Sequence, residues 1–124
     1  MVTTAHVQVR RAYDPAERDD GQRVLVDRLW PRGLSKERAD LTEWCKEVAP
    51  SAELRQWYGH DPDRYDEFAR LYRAELDDPD HAAAFTHLKE MAGHGRLTLL
   101  TGTKRSDISE ATVLADLLNR PPRR

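Results

Sequence analysis

The sequence predicts a small α/β domain, with a mainly parallel sheet of about three strands covered by about five helices. Three observations carry this. Val24, Leu25 and Val26 form an unbroken apolar run, the pattern of a strand covered on both faces, as in a parallel sheet. A second such run, Arg96–Thr101 (RLTLLT), follows a long stretch of helical periodicity. Strands separated by helices build layered α/β domains, and 124 residues suit one domain, 1–124, around one core.

The elements follow in chain order. Val7 and Val9 alternate with Gln8 and Arg10, the period of a short strand. Asp14-Pro15 and Asp20-Gly21 mark a turn-rich loop over Tyr13–Gln22. The second strand is read as Arg23–Trp30, stopped by Pro31 and Gly33. Asp40 with Glu43 three residues on has the form of a capping box, predicting a first helix over Leu41–Val48. Ser51 caps a second helix that ends near Gly59. Asp61-Pro62 and Asp78-Pro79 each pair a cap with proline at the first helical position, opening a third and a fourth helix. Tyr65, Phe68, Tyr72 and Leu76 give the third an apolar stripe, and Ala84, Phe85, Leu88 and Met91 line the fourth, which Gly93 and Gly95 end. After the RLTLLT strand, Gly102–Arg105 is a turn. Asp107 with Glu110 has capping-box form for a last helix containing Ala111, Leu114, Leu117 and Leu118. Pro121-Pro122 stops it, leaving Arg123-Arg124 as a loose tail.

Composition narrows the function classes. Hydrophobic residues make up 39% and charged residues 34%, a globular balance. No apolar run approaches the ~20 residues of a membrane helix, and MVTTAHVQVRR lacks a secretory h-region. Cys45 is the only cysteine, so no intrachain disulfide forms and a reducing cytoplasm is the simplest setting. The net charge of −2 is uneven: residues 51–80 carry nine acids and four bases, residues 81–124 four acids and seven bases. That surplus is too small for a general nucleic-acid surface but sufficient for a small anion pocket. The five histidines show no metal-binding spacing, so neither a metal nor a cofactor is expected.

If the two apolar strands are parallel, their carboxyl ends bring the Asp27–Gly33 loop and the Gly102–Ser106 turn to one sheet edge, where open α/β sheets bind ligands. Asp27 is the catalytic candidate, as a general base or ligand-orienting group. Its structural alternative is an anchor for the Trp30–Gly33 loop, bonded to Arg28, Arg32 or backbone N–H groups. Arg32, between proline and glycine, presents a fork suited to phosphate or carboxylate. Trp30 either stacks on a base or fills the core. Lys104 and Arg105 sit in a glycine turn leading to a helix start, which favours anions. Lys46 and Arg55 join the set if their helices face the strand ends. Ser51 is read first as a cap. Cys45, beside Lys46, is an inert buried hydrophobe or, with no placed histidine partner, a weak nucleophile candidate.

The chain resembles the YeaO-like family of bacterial proteins, a group named for a domain of unknown function. The residues that carry the resemblance are Tyr13-Asp14, DDGQRVLVDRLWPRG at 19–33, EWCKEVAPSAELRQWYGHDP at 43–62, the EF…Y…EL pattern at 67–76 and LTLLTGTK at 97–104. The resemblance implies a small cytoplasmic α/β fold and no particular reaction. Its pattern singles out Asp27, Arg28, Trp30, Pro31, Arg32, Gly33, Trp44, Lys46, Pro50, Ser51, Leu54, Arg55 and Lys104. It also marks two departures. Related members carry Asn-His-Ala where this chain has Ser109-Glu110-Ala111, and more distant ones carry cysteine where it has Thr101. The expectation is a binder of a small anionic ligand or nucleotide through Arg28, Trp30, Arg32, Lys46, Ser51, Arg55, Lys104 and Arg105, with Asp27 for acid–base chemistry. The alternative is a non-enzymatic interaction or stress-linked adaptor module using the Trp30–Gly33 loop.

Overall fold

The computed structural model describes residues 7–120. The four strands β1 (Val7–Arg11), β2 (Gln22–Leu25), β3 (Glu43–Trp44) and β4 (Leu97–Thr101) form one sheet in the order β1-β4-β2-β3. Every neighbouring pair is parallel, with Val9 opposite Leu99 and Val24 opposite Leu99 on either side of β4. The two apolar runs therefore lie side by side in one sheet, and their carboxyl ends meet. Five helices accompany the sheet: α1 (Lys36–Ala39), α2 (Ala52–Tyr58), α3 (Tyr65–Glu75), α4 (Pro79–His94) and α5 (Glu110–Leu118).

Alternation along the strands sends side chains to two different layers. Val24, Val26, Leu97 and Leu99 join Leu54, Phe68, Tyr72, Leu88 and Leu114 in the main core. Leu25 and Leu100 point the other way, into a second cluster with Ala12, Leu34 and Ala39, against which Trp30 and Trp44 pack. This explains the apolar run of β2: one face is covered by long helices, the other by the 28–44 segment. The opposite end of that second face is polar. Asp20, 1% exposed, accepts bonds from Arg10 and Arg23, and Arg23 also donates to the Ala39 carbonyl. Gly21 adopts a φ of 63°, and a Cβ there would lie 2.5 Å from the Arg96 carbonyl oxygen, so glycine is required. At the sheet edge, Asn119 bonds both the N–H and the carbonyl of Val7.

Several expected boundaries move. β2 ends at Leu25 rather than Trp30, although the Val26 N–H still reaches the Leu100 carbonyl. No helix covers Leu41–Val48. Ser35 caps the single turn α1, and Asp40 ends it in the left-handed region at φ 46°. Glu43 and Trp44 then pair with β2 as β3, the strand that makes the sheet four-stranded, and Lys46–Val48 is a 3-10 turn. The apparent capping box at Asp40 thus lies at a helix end, with Glu43 in a strand. Ser51 caps α2 by accepting the Leu54 N–H, as expected. The third helix begins with a 3-10 turn, Pro62–Arg64. α4 runs through Gly93 and ends at Gly95. α5 starts after Ser109; Asp107 lies in the preceding 3-10 turn and makes no cap for it. The proline stop at Pro121-Pro122, the Arg123-Arg124 tail and residues 1–6 lie outside the described residues.

Phe68 is the centre of the helical layer, stacked between Tyr58 at 4.2 Å and Tyr72 at 5.8 Å and almost fully buried. Tyr65 and Phe85 are half-buried at its margin. Phe68→Ala should cost ~3–5 kcal/mol, the usual loss for a buried phenylalanine. Urea unfolding monitored by circular dichroism measures this, and a loss below ~1 kcal/mol would mean that the layer does not pack around this ring.

Candidate functional site

The carboxyl ends of β2 and β4 are tied together by one side chain. Asp27 Oδ1 accepts from Thr101 Oγ1 at 2.8 Å, and Oδ2 accepts from the Gly102 N–H at 2.7 Å. The Asp27 carbonyl accepts the Trp44 indole N–H at 2.8 Å, which adds β3 to the same junction. Gly102 lies so close to Pro31 that a Cβ would meet the proline ring at 3.0 Å. The loop after β2 and the turn after β4 are therefore packed face to face.

Beside this junction opens a cavity of about 420 Å³. The loop after β2 contributes Asp27, Arg28, Leu29, Pro31 and Arg32. Helix α2 and the residues flanking it contribute Pro50, Arg55, Tyr58 and His60; Thr101–Thr103, Ser109 and Glu110 close the far wall. Tyr13 enters from the end of β1 and donates its hydroxyl to the Arg32 carbonyl at 2.6 Å, fixing the loop. Gly59 and His60 are both left-handed, with φ of 52° and 58°, and this reversal brings His60 to the cavity wall, its ring 6.0 Å from that of Tyr58.

The charges in the cavity are of two kinds. Arg28, Arg32 and Arg55 come from two separate segments. Arg55 is half-buried, its Nε held by the Pro50 carbonyl at 3.2 Å. Arg28 and Arg32 are exposed at the rim. Opposite them, the Glu110 carboxyl lies within hydrogen-bonding reach of Asp27. Burial first, and then the neighbouring Asp27 carboxylate, hold the Glu110 carboxyl well above the usual carboxylate range; attraction to Arg55 opposes this only in part. With both Asp27 oxygens already accepting bonds, Glu110 is the member of the pair whose surroundings favour the neutral form.

The structure sorts the sequence candidates. Asp27, Arg28, Arg32 and Arg55 share the cavity. Trp30 faces the second core cluster, edge-on to Trp44 at 5.4 Å, with its N–H on the Leu34 carbonyl at 2.7 Å. Lys46 lies over the Trp44 ring at 5.0 Å. Ser51 Oγ donates to Glu75 at 2.5 Å while capping α2, on a different groove. Lys104 is exposed and Arg105 pairs with Asp107 at 2.9 Å; neither lines the cavity. The anchoring role of Asp27 is real: of the partners expected for it, a backbone N–H, that of Gly102, makes the bond, joined by the Thr101 hydroxyl, while Arg28 and Arg32 do not. Burial, with help from Glu43 and Glu47, pushes the Cys45 thiol up to about 11, so it is an apolar filler at neutral pH.

Tyr13 and Tyr58 were not singled out as site residues in the sequence, and Glu110 was left open between a carboxylate standing where relatives carry histidine and a helix cap. Tyr13 had a usable signal, since it follows a strand end on the same sheet edge. Tyr58 reads as helix core, which it also is. Glu110 reads as half of a capping box with Asp107, but that pairing does not form. Among the described residues, no group of three His, Cys, Asp or Glu side chains could hold a metal ion, and no helix is long and apolar enough to cross a membrane.

Residues 6–123 match the family model described as "Inactive DUF488-N3 subclade". An uncharacterised protein of Mycobacterium tuberculosis is 49% identical over 119 residues, covering 96% of this chain and 98% of its own length. One of Mycobacterium bovis matches to the same extent. The uncharacterised protein YeaO of Escherichia coli is 44% identical over 113 residues, covering 91% and 96%. No solved structure matches.

The carboxyl pair has a consequence for stability. Because the folded protein holds the Glu110 proton more tightly than the unfolded chain does, its contribution is complete below the ordinary glutamate range and is lost as pH rises through the raised folded value. Glu110→Gln, which cannot ionise, should therefore gain stability relative to wild type as pH is raised from acidic to alkaline. Urea midpoints for both proteins across that range measure it; a constant difference between them would show that Glu110 ionises as an ordinary exposed glutamate.

Proposed function

The chain belongs to the inactive DUF488-N3 subclade, and on that premise we propose that it binds a small ligand bearing a phosphate or carboxylate at the carboxyl ends of its parallel strands. The observation that carries this reading is the convergence of Arg28, Arg32 and Arg55 on one cavity of about 420 Å³ at that sheet edge. Parallel sheets place ligands there, and guanidinium forks suit phosphate and carboxylate oxygens. The apolar walls, Leu29, Pro31, Phe68 and Tyr58, give the rest of a small molecule a place to bury.

Binding without turnover is the favoured role. The two departures from the family pattern, Thr101 and Glu110, both fall on Asp27, and the family's description as inactive agrees with lost chemistry. Asp27 and Glu110 can still exchange a proton with a bound ligand, so acid–base chemistry is the secondary form of this reading. The single thiol and the lack of a long apolar helix among the described residues are compatible with action in the cytoplasm. One observation favours the alternative of a protein-contact loop: Leu29, beside the cavity mouth, is 70% exposed.

Calorimetric titration with inorganic phosphate and with a nucleoside monophosphate tests the reading. Arg55→Lys and Arg32→Lys should each weaken binding by about tenfold, because an ammonium cannot supply the bidentate fork. Lys104→Ala, outside the cavity, should leave affinity unchanged, and added salt should weaken binding at the open rim. Equal affinity in wild type and both arginine variants would return these side chains to loop packing, and no binding by any protein would favour the contact-loop alternative.

A further inference from the structure

We propose that the cavity takes a zwitterionic ligand, its anionic group on the arginines and a protonated amine on the Asp27–Glu110 carboxyl pair. This deepens the anion-binding reading above and rests on it.

The carboxyl pair is suited to a cation. Two carboxyl groups from different elements, the end of β2 and the start of α5, meet at the wall of one cavity. Among the described residues, no lysine, arginine or histidine lies within ion-pairing distance of either one. Asp27 accepts one bond on each oxygen, from Thr101 and Gly102, which leaves a further lone pair on each. Glu110 has no side-chain partner other than Asp27 among the described residues. Two such groups stay in contact either by sharing a proton or by sharing a cation. An ammonium offers three donors to this cluster of acceptors. A metal ion fits less well, since no third acidic, histidine or cysteine ligand stands with the pair among the described residues.

The spacing of charges constrains the ligand. Arg55 is near enough to attract the Glu110 carboxyl without bonding to it. A ligand bridging the two needs its anion and its amine only a few bonds apart. Pro31 and Phe68 line the space for the intervening carbons. When the ammonium enters, it stays protonated, and Glu110, held neutral by burial and Asp27 in the empty site, gives up its proton to solvent.

Two probes separate this inference from the reading beneath it: 2-aminoethyl phosphate, and propyl phosphate, which has a methyl group in place of the ammonium. Calorimetry at neutral pH in buffers of different ionisation enthalpy gives both affinity and proton release. The aminoethyl compound should bind about tenfold tighter than the propyl compound and release more protons than the propyl compound, whose own phosphate accounts for what it releases. In Glu110→Gln the preference for the aminoethyl compound and the extra proton release that goes with it should both disappear. Wild-type proton release is read without any variant, so it stands even if Glu110→Gln folds poorly. Equal affinities with no extra proton release would overturn the zwitterion inference and leave the anion reading intact. Binding of neither probe would overturn both.

Discussion

The Asp27 carboxylate, at the end of β2, takes its hydrogen bonds from Thr101 and Gly102 at the end of the neighbouring strand β4. Bonds of this charge-assisted kind contribute about 1.5–3 kcal/mol each, and both act at a place where the sheet would otherwise fray. They bring the loop after β2 against the turn after β4, close enough that a side chain at Gly102 would press on Pro31. The cavity wall is the by-product of that closure. It acts together with the Tyr13 hydroxyl on the Arg32 carbonyl and the packing of Trp30 on Trp44, which hold the rest of the loop.

The same carboxylate joins two further side chains from the end of β4 and the start of α5. Thr101 donates to Asp27, and the Glu110 carboxyl lies against it, held above the usual carboxylate range by burial and by Asp27. A hydroxyl and a carboxyl in these places make a hydrogen-bonded cluster in which neither Thr101 nor the carboxyls is an activated nucleophile. Cys45, buried away from the cavity wall with its thiol pushed up to about 11, does not replace one. What remains is a concave site with cationic and acidic sides.

Much of the scaffold was legible in the sequence, because its signals are local and physical. Three consecutive apolar residues at Val24–Val26 mean two covered faces, and the structure covers them with two different layers. Asp-Pro and Ser caps set the helix starts at 51, 62 and 79 within a turn. The convergence of the Asp27–Gly33 loop with the turn after β4 followed from parallel strands alone. Less was legible where one pattern has two structural meanings. Asp40-x-x-Glu43 has the form of a helix start, yet Asp40 adopts φ 46° and Glu43 pairs in a two-residue strand too short to show alternation. Glu110 resembles a cap partner of Asp107, whereas Arg105 claims Asp107 and leaves Glu110 to Asp27. Trp30, Lys46 and Ser51 have residue types suited to a ligand, but tertiary partners occupy them: Trp44 for the first two, Glu75 for the third.

A crystal structure of the protein grown with propyl phosphate tests the central claim most directly, that closure at Asp27 builds an anion site for the arginines. The account predicts the phosphate in the cavity with its oxygens on Arg55 and on Arg28 or Arg32, and Asp27 still bonded to Thr101 and Gly102. Phosphate bound instead at Lys104 and Arg105, with the cavity arginines turned to solvent, would contradict it.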